Sequence, residues 1–254
     1  MGMAEPKILL VTVPAQGHIN PSLQLAKRLI RYGVHVTFMT AASAFNRMNK
    51  TSTTTQGLSY ATFSDYDQGF NRRTADLNHY MAELRRCGSQ ALRELILETR
   101  FDCVVYSVML PWVAAVAREF HIPATFLWNQ PASVFNIYYQ SFKGYEKVIE
   151  NGVEDPSFVM ELPGLPPLCR HDLPSFYIPP NPLAFVIPTM KEHFEILDEE
   201  TNPKVLVNTI DELESEAMEA VAKYNLVGIG PLMPSNPNET SFGGDIFKDW
   251  IQAS

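Results

Sequence analysis

Short apolar runs alternate with longer amphipathic ones along most of the chain. Lys7-Ile8-Leu9-Leu10-Val11-Thr12-Val13 is apolar and β-rich without polar alternation, the pattern of a strand covered on both faces in a parallel sheet. From His18 to Tyr32, the residues Leu23, Ala26, Leu29 and Ile30 recur at helical spacing, and Gly33 supplies a C-terminal stop. Val34 to Thr40 is a second apolar run, so the opening predicts a βαβ unit. Further strands are expected over 58–63, 103–107, 122–128, 204–208 and 225–229, with helices over 80–97, 111–120, 132–142, 183–197 and 212–223. This rhythm predicts an α/β fold with a Rossmann-like, doubly wound parallel sheet.

Two stretches break the rhythm. Residues 51–56 are polar and of low complexity, and residues 161–182 are rich in proline, with Phe176 and Tyr177 among them. The second is long enough to form a lid or a pocket wall. The acidic residues Glu192, Glu195, Asp198, Glu199 and Glu200 read as a solvated helix face. Past Pro231, the residues Pro234, Asn236, Pro237, Gly243 and Gly244 mark a linker. The expected organisation is one domain over 1–232 and a linker over 233–254 leading toward a second domain.

Composition narrows the function classes. The chain has 254 residues, 46% hydrophobic and 19% charged, which is ordinary for a globular protein. A net charge of -8 offers no electrostatic footprint for nucleic acid. Cys87, Cys103 and Cys169 are odd in number and lack metal or redox spacing, so a reducing, cytoplasmic setting is expected. No apolar run approaches the roughly 18 residues of a membrane span.

The first strand-to-helix turn holds the candidate chemistry. It has a single glycine, Gly17, where phosphate cradles and the dinucleotide fingerprint need several. That weighs against a nicotinamide-dependent oxidoreductase, which the Rossmann-like rhythm alone would suggest. The turn carries His18 instead, beside the carboxyl end of a strand, where open α/β sheets usually place ligands. A helix amino terminus disfavours imidazolium and so keeps the ring neutral, as a general base requires. A histidine that merely ends a helix is the competing reading, and position alone leaves both open.

The string Pro14-Ala15-Gln16-Gly17-His18-Ile19-Asn20-Pro21 resembles the opening signature of plant family 1 UDP-sugar-dependent glycosyltransferases. Leu110-Pro111-Trp112 with Val116-Ala117-Arg118-Glu119, and Leu162-Pro163-Gly164-Leu165 with Asp172-Leu173-Pro174, are similar to that family's middle segments. Val207-Asn208-Thr209 with Asp211-Glu212-Leu213-Glu214, and Gly228-Ile229-Gly230-Pro231-Leu232, resemble its pre-linker region. The resemblance is greatest to the subgroup of anthocyanin 5-O-glucosyltransferases, crocetin glucosyltransferases and auxin or benzoate glucosyl-ester formers. It implies the N-terminal, acceptor-binding domain of a GT-B fold, whose C-terminal half would hold the UDP-sugar. Nothing around Trp112, Trp128 or Trp250 matches that half's nucleotide-sugar box.

The resemblance further implies an inverting transfer from UDP-glucose, as co-substrate, to a plant small molecule: a flavonoid or anthocyanin, an apocarotenoid or an aromatic acid. No cofactor and no metal are called for. The histidine matching His18 deprotonates the acceptor, oriented by an aspartate whose matching position here is Ser107. A hydroxyl supplies no charge to stabilise an imidazolium. Asp102 lies five residues back along the strand, on the other face and roughly 16 Å away, and cannot substitute. Gln16 and Gly17 are expected at the acceptor, and Asn129 at both acceptor and donor sugar. Phe135, Phe176, Phe185 and Met190 could line an aromatic acceptor pocket, with core packing as the alternative for each. A module that binds aromatic molecules without transfer is the rival function.

Overall fold

The computed structural model describes residues 5–48, 55–65, 76–181, 183 and 185–233. They form two compact units, one holding residues up to Asn129 and from Leu232 on, the other running from Gln130 to Pro231. Residues 51–54 and all of the expected linker except Met233 lie outside the described residues. Among the described residues no helix is long and apolar enough to cross a membrane.

The first unit carries a parallel sheet of β1 (Lys7–Val11), β2 (His35–Ala41), β3 (Leu58–Phe63), β4 (Cys103–Ser107) and β5 (Ala124–Trp128), in the order β3-β2-β1-β4-β5. The chain builds outward from β1 to β3 and then returns to the other side of β1, so the strand order reverses between β1 and β4. In open α/β sheets the crevice beyond the strand ends at such a reversal is the usual ligand position. Ile8 to Val11, and all of β4, are buried, as continuous apolar runs require.

Helix α1 (Gln16–Arg31) starts two residues earlier than the apolar stripe suggested and buries Ile19, Ser22, Leu25, Ala26 and Leu29. Leu23 and Ile30 are only partly covered. Gly33 does terminate it, with a φ of 79° that a β-carbon would oppose. Helix α2 (Ala42–Arg47), absent from the sequence expectation, is six residues long. Its first turn is fastened by the buried Asp65, whose carboxylate accepts from the Ser43 N–H at 3.3 Å and from the Ser43 hydroxyl. Helix α3 (Leu77–Glu98) is capped by Asp76, which accepts from the Asn78 N–H at 2.9 Å and the His79 N–H at 3.3 Å. It meets α4 (Pro111–Glu119), which opens on Pro111 in its first turn.

The second unit contains α5 (Ala132–Phe142), α6 (Glu146–Glu154), α7 (Val186–Glu199), α8 (Asp211–Glu219) and the parallel pair β6 (Lys204–Val207) and β7 (Asn225–Gly228). The proline-rich stretch is no loose lid here. Leu162, Leu168 and Leu173 from it pack with Ile137, Ile149 and Met160 in one buried cluster, and Met160 and Leu168 exchange backbone hydrogen bonds of 2.8 and 2.9 Å. The same cluster explains α6, which sequence periodicity missed: its buried Ile149 and Gly152 are covered by residues that follow it, with Met160 against Gly152. The acidic stretch at the end of α7 is likewise not wholly solvated. Asp198 pairs with the ammonium groups of Lys143 and Lys223 and accepts from the Tyr224 hydroxyl at 2.9 Å.

Candidate active site

Parallel register aligns Val11, Tyr106 and Phe126, so the carboxyl ends of β1, β4 and β5 finish side by side. Three candidate positions meet this edge: the turn from Val13 to His18 after β1, Ser107 at the end of β4, and Asn129 just past β5. Near the ends of β4 and β5, the buried rings of Tyr106 and Phe126 stack at 5.3 Å, and Phe126 meets the buried Trp128 edge-on at 6.1 Å.

His18 stands in the first turn of α1, its N–H bonded to the Ala15 carbonyl at 2.9 Å. The side chain is partly covered, and Nδ1 is fully buried with no hydrogen-bond partner among the described residues. Burial alone lowers the imidazole pKa from 6.5 to about 4, so the ring is neutral throughout the physiological range. Gln16 and Gly17 beside it are exposed, and a β-carbon on Gly17 would meet nothing within 4 Å.

Ser107 is fully buried, and its hydroxyl is committed to the backbone. It accepts from the Val13 N–H at 3.2 Å and donates to the Val108 carbonyl at 3.4 Å. The structure therefore brings Ser107 to the His18 turn without joining it to Nδ1. Asp102 accepts from the Lys7 N–H at 2.8 Å, at the amino end of β1, remote from this edge as the strand spacing requires. Asn129 donates from Nδ2 to the Gly17 carbonyl at 2.8 Å.

The aromatic candidates belong to the second unit, where packing occupies two of them. Phe135 is fully buried against Phe194 at 5.0 Å and Tyr224 at 6.3 Å, and Met190 is buried on α7. Both are covered by packing, and neither presents a free surface to a ligand. Phe176 and Phe185 are partly exposed. Sequence reasoning missed Glu214, a helix residue with φ -134° and ψ 32°. Its carboxylate turns to accept from the Ala132 N–H at 2.8 Å and the Ser133 N–H at 2.9 Å, filling the amino terminus of α5. Burial raises its pKa, but the nearby polar groups, the Ala132 and Ser133 N–H donors among them, outweigh that and hold it low. Asp211-Glu212-Leu213-Glu214 contains three carboxylates, and nothing local distinguishes the one that reaches back 81 or 82 positions.

No family model matches the chain. Among curated proteins it is 48% identical to a crocetin glucosyltransferase, chloroplastic, of Gardenia jasminoides, across 97% of this chain and 56% of that protein. It is also 48% identical to a phloretin 4'-O-glucosyltransferase of Malus domestica, across 97% of this chain and 55% of that protein. Among solved structures, Os79 of O. sativa in complex with UDP superposes with a TM-score of 0.70 at 25% identity, covering 89% of this chain and 51% of that one. The chain spans about half the length of the proteins it matches. In sequence and in its GT-B-type α/β fold, the chain belongs to the plant UDP-glycosyltransferases and corresponds to their N-terminal half.

Proposed function

We propose that this chain forms the acceptor side of an inverting, UDP-glucose-dependent O-glucosyltransferase for plant small molecules, with His18 as general base. The observation that carries the reading is a neutral, partly covered imidazole on the turn that follows β1 at the strand-order reversal. Because Nδ1 is buried, Nε2 is the nitrogen left to meet an acceptor. It takes the acceptor proton as the acceptor oxygen bonds to the anomeric carbon of glucose. The bond from that carbon to the diphosphate breaks, and UDP departs with the electron pair. Gln16 and Gly17, exposed beside the ring, contact the acceptor.

With no carboxylate at position 107 and a pKa near 4, His18 is a weak base. Such a base suits acceptors that ionise readily, aromatic acids and acidic phenols, over aliphatic alcohols. The test uses an enzyme in which this chain is joined to a donor-binding half, assayed with UDP-glucose and a matched panel of acids, phenols and alcohols. His18→Ala should lower kcat/KM by about 10^2–10^4-fold. Unchanged turnover in that variant removes His18 from the mechanism, and preference for aliphatic alcohols overturns the acceptor class.

A further inference from the structure

The His18 turn contains a defect in its own hydrogen bonding. Helix α1 begins at Gln16, so the Gly17 carbonyl is due to accept from the backbone nitrogen four residues on. That residue is Pro21, which has no N–H to give. A carbonyl in the first turn of a helix, directly before the candidate base, is thus stripped of its helical donor. The side chain of Asn129 supplies the missing bond, Nδ2 to the Gly17 oxygen at 2.8 Å, from the end of β5 across 112 positions of sequence. At the other end of the same turn, the Val13 N–H is held by the Ser107 hydroxyl.

We infer that Asn129 is a positioning residue: its carboxamide replaces the helix donor that Pro21 removes, and so fixes the turn that presents His18. The inference rests on the reading of His18 as the base, and it gives Asn129 a role separate from contact with either substrate. A proline at this place takes one bond out of the helical ladder at the first turn of α1. Asn129 then couples the orientation of His18 to the loop that follows β5, rather than to the helix alone.

The test is histidine-resolved NMR titration of the 254-residue chain, which needs no transferase activity. Asn129→Ala should let the turn open, so that the His18 pKa climbs from about 4 toward 6.5 and the amide signals of Gly17, His18 and Ile19 move. Asn129→Leu, similar in size but without a donor, should do the same. Pro21→Ala restores the helical N–H, so in that background Asn129→Ala should shift the His18 titration several-fold less. A His18 titration unchanged by both Asn129 variants overturns the inference. So does a shift of equal size whether residue 21 is Pro or Ala. If the Asn129 effect and its relief by Pro21→Ala are seen while the joined enzyme transfers no glucose, the proposed function fails and the positioning role stands.

Discussion

At His18, burial sets the protonation state, with no charged group among the described residues shifting it. A carboxylate at position 107 would reverse that balance, since it favours the imidazolium that a buried ring otherwise resists. Ser107→Asp should therefore raise the His18 pKa above its value of about 4, measured by NMR titration, while the new carboxylate still accepts the Val13 N–H. In the joined enzyme the same variant should extend transfer toward aliphatic alcohols, because the base would strengthen. An unmoved His18 pKa would show that position 107 has no electrostatic reach to the ring. The place of His18, at the turn after the first strand, was legible in the sequence. The commitments of the Ser107 hydroxyl to Val13 and Val108 were not, because they depend on how β1 and β4 pair.

Helices α3 and α4 approach so closely that one glycine is obligatory. A β-carbon on Gly88 would lie 2.5 Å from Cη2 and 2.8 Å from Cζ2 of Trp112. That indole is buried and set edge-on to Phe63 at 6.3 Å, so it has nowhere to move. Gly88→Ala gains about 1 kcal/mol of helix propensity, yet overpacking of this kind costs about 1–3 kcal/mol, and the rigid ring puts the cost at the upper end. Urea unfolding should show a net loss of about 1–2 kcal/mol. Gly164 is constrained twice over, by a φ of 70° and by the Glu216 carbonyl oxygen 2.3 Å from any β-carbon. Gly164→Ala should destabilise more than Gly88→Ala, because backbone strain adds to the clash. In α8, Glu214→Gln should cost about 1–2 kcal/mol in the same assay, since a neutral amide is a poorer partner for the two amides at the head of α5.

Across the whole chain, mild acid should weaken the fold through His18 and His193. His18 and His193, one in each unit, are lowered by burial to about 4 and about 3. Between those values and 6.5 the unfolded chain binds a proton at each position that the folded chain refuses, so stability is intact above pH 6.5 and falls as pH drops through that window. At pH 5 the loss is on the order of 2 kcal/mol for each histidine, set mainly by the unfolded value. Unfolding free energies at pH 7 and pH 5 should differ accordingly, and His193→Gln should flatten the difference. Asp198 and Glu214, whose pKa values are held low, add to the loss only at more acidic pH.

The sequence by itself determined the alternating elements, the parallel α/β class, the single-glycine turn and the histidine at its end, because each follows from residues close together in the chain. The tertiary structure decided which polar groups meet there. Strand order sets β4 beside β1 and β5 beside β4, and only then can Ser107 hold Val13 and Asn129 reach the Gly17 carbonyl whose helical donor Pro21 removes. It also decided that Phe135 and Met190 are packed inside the second unit, since burial is settled by residues distant in sequence, as Phe194 and Tyr224 are from Phe135.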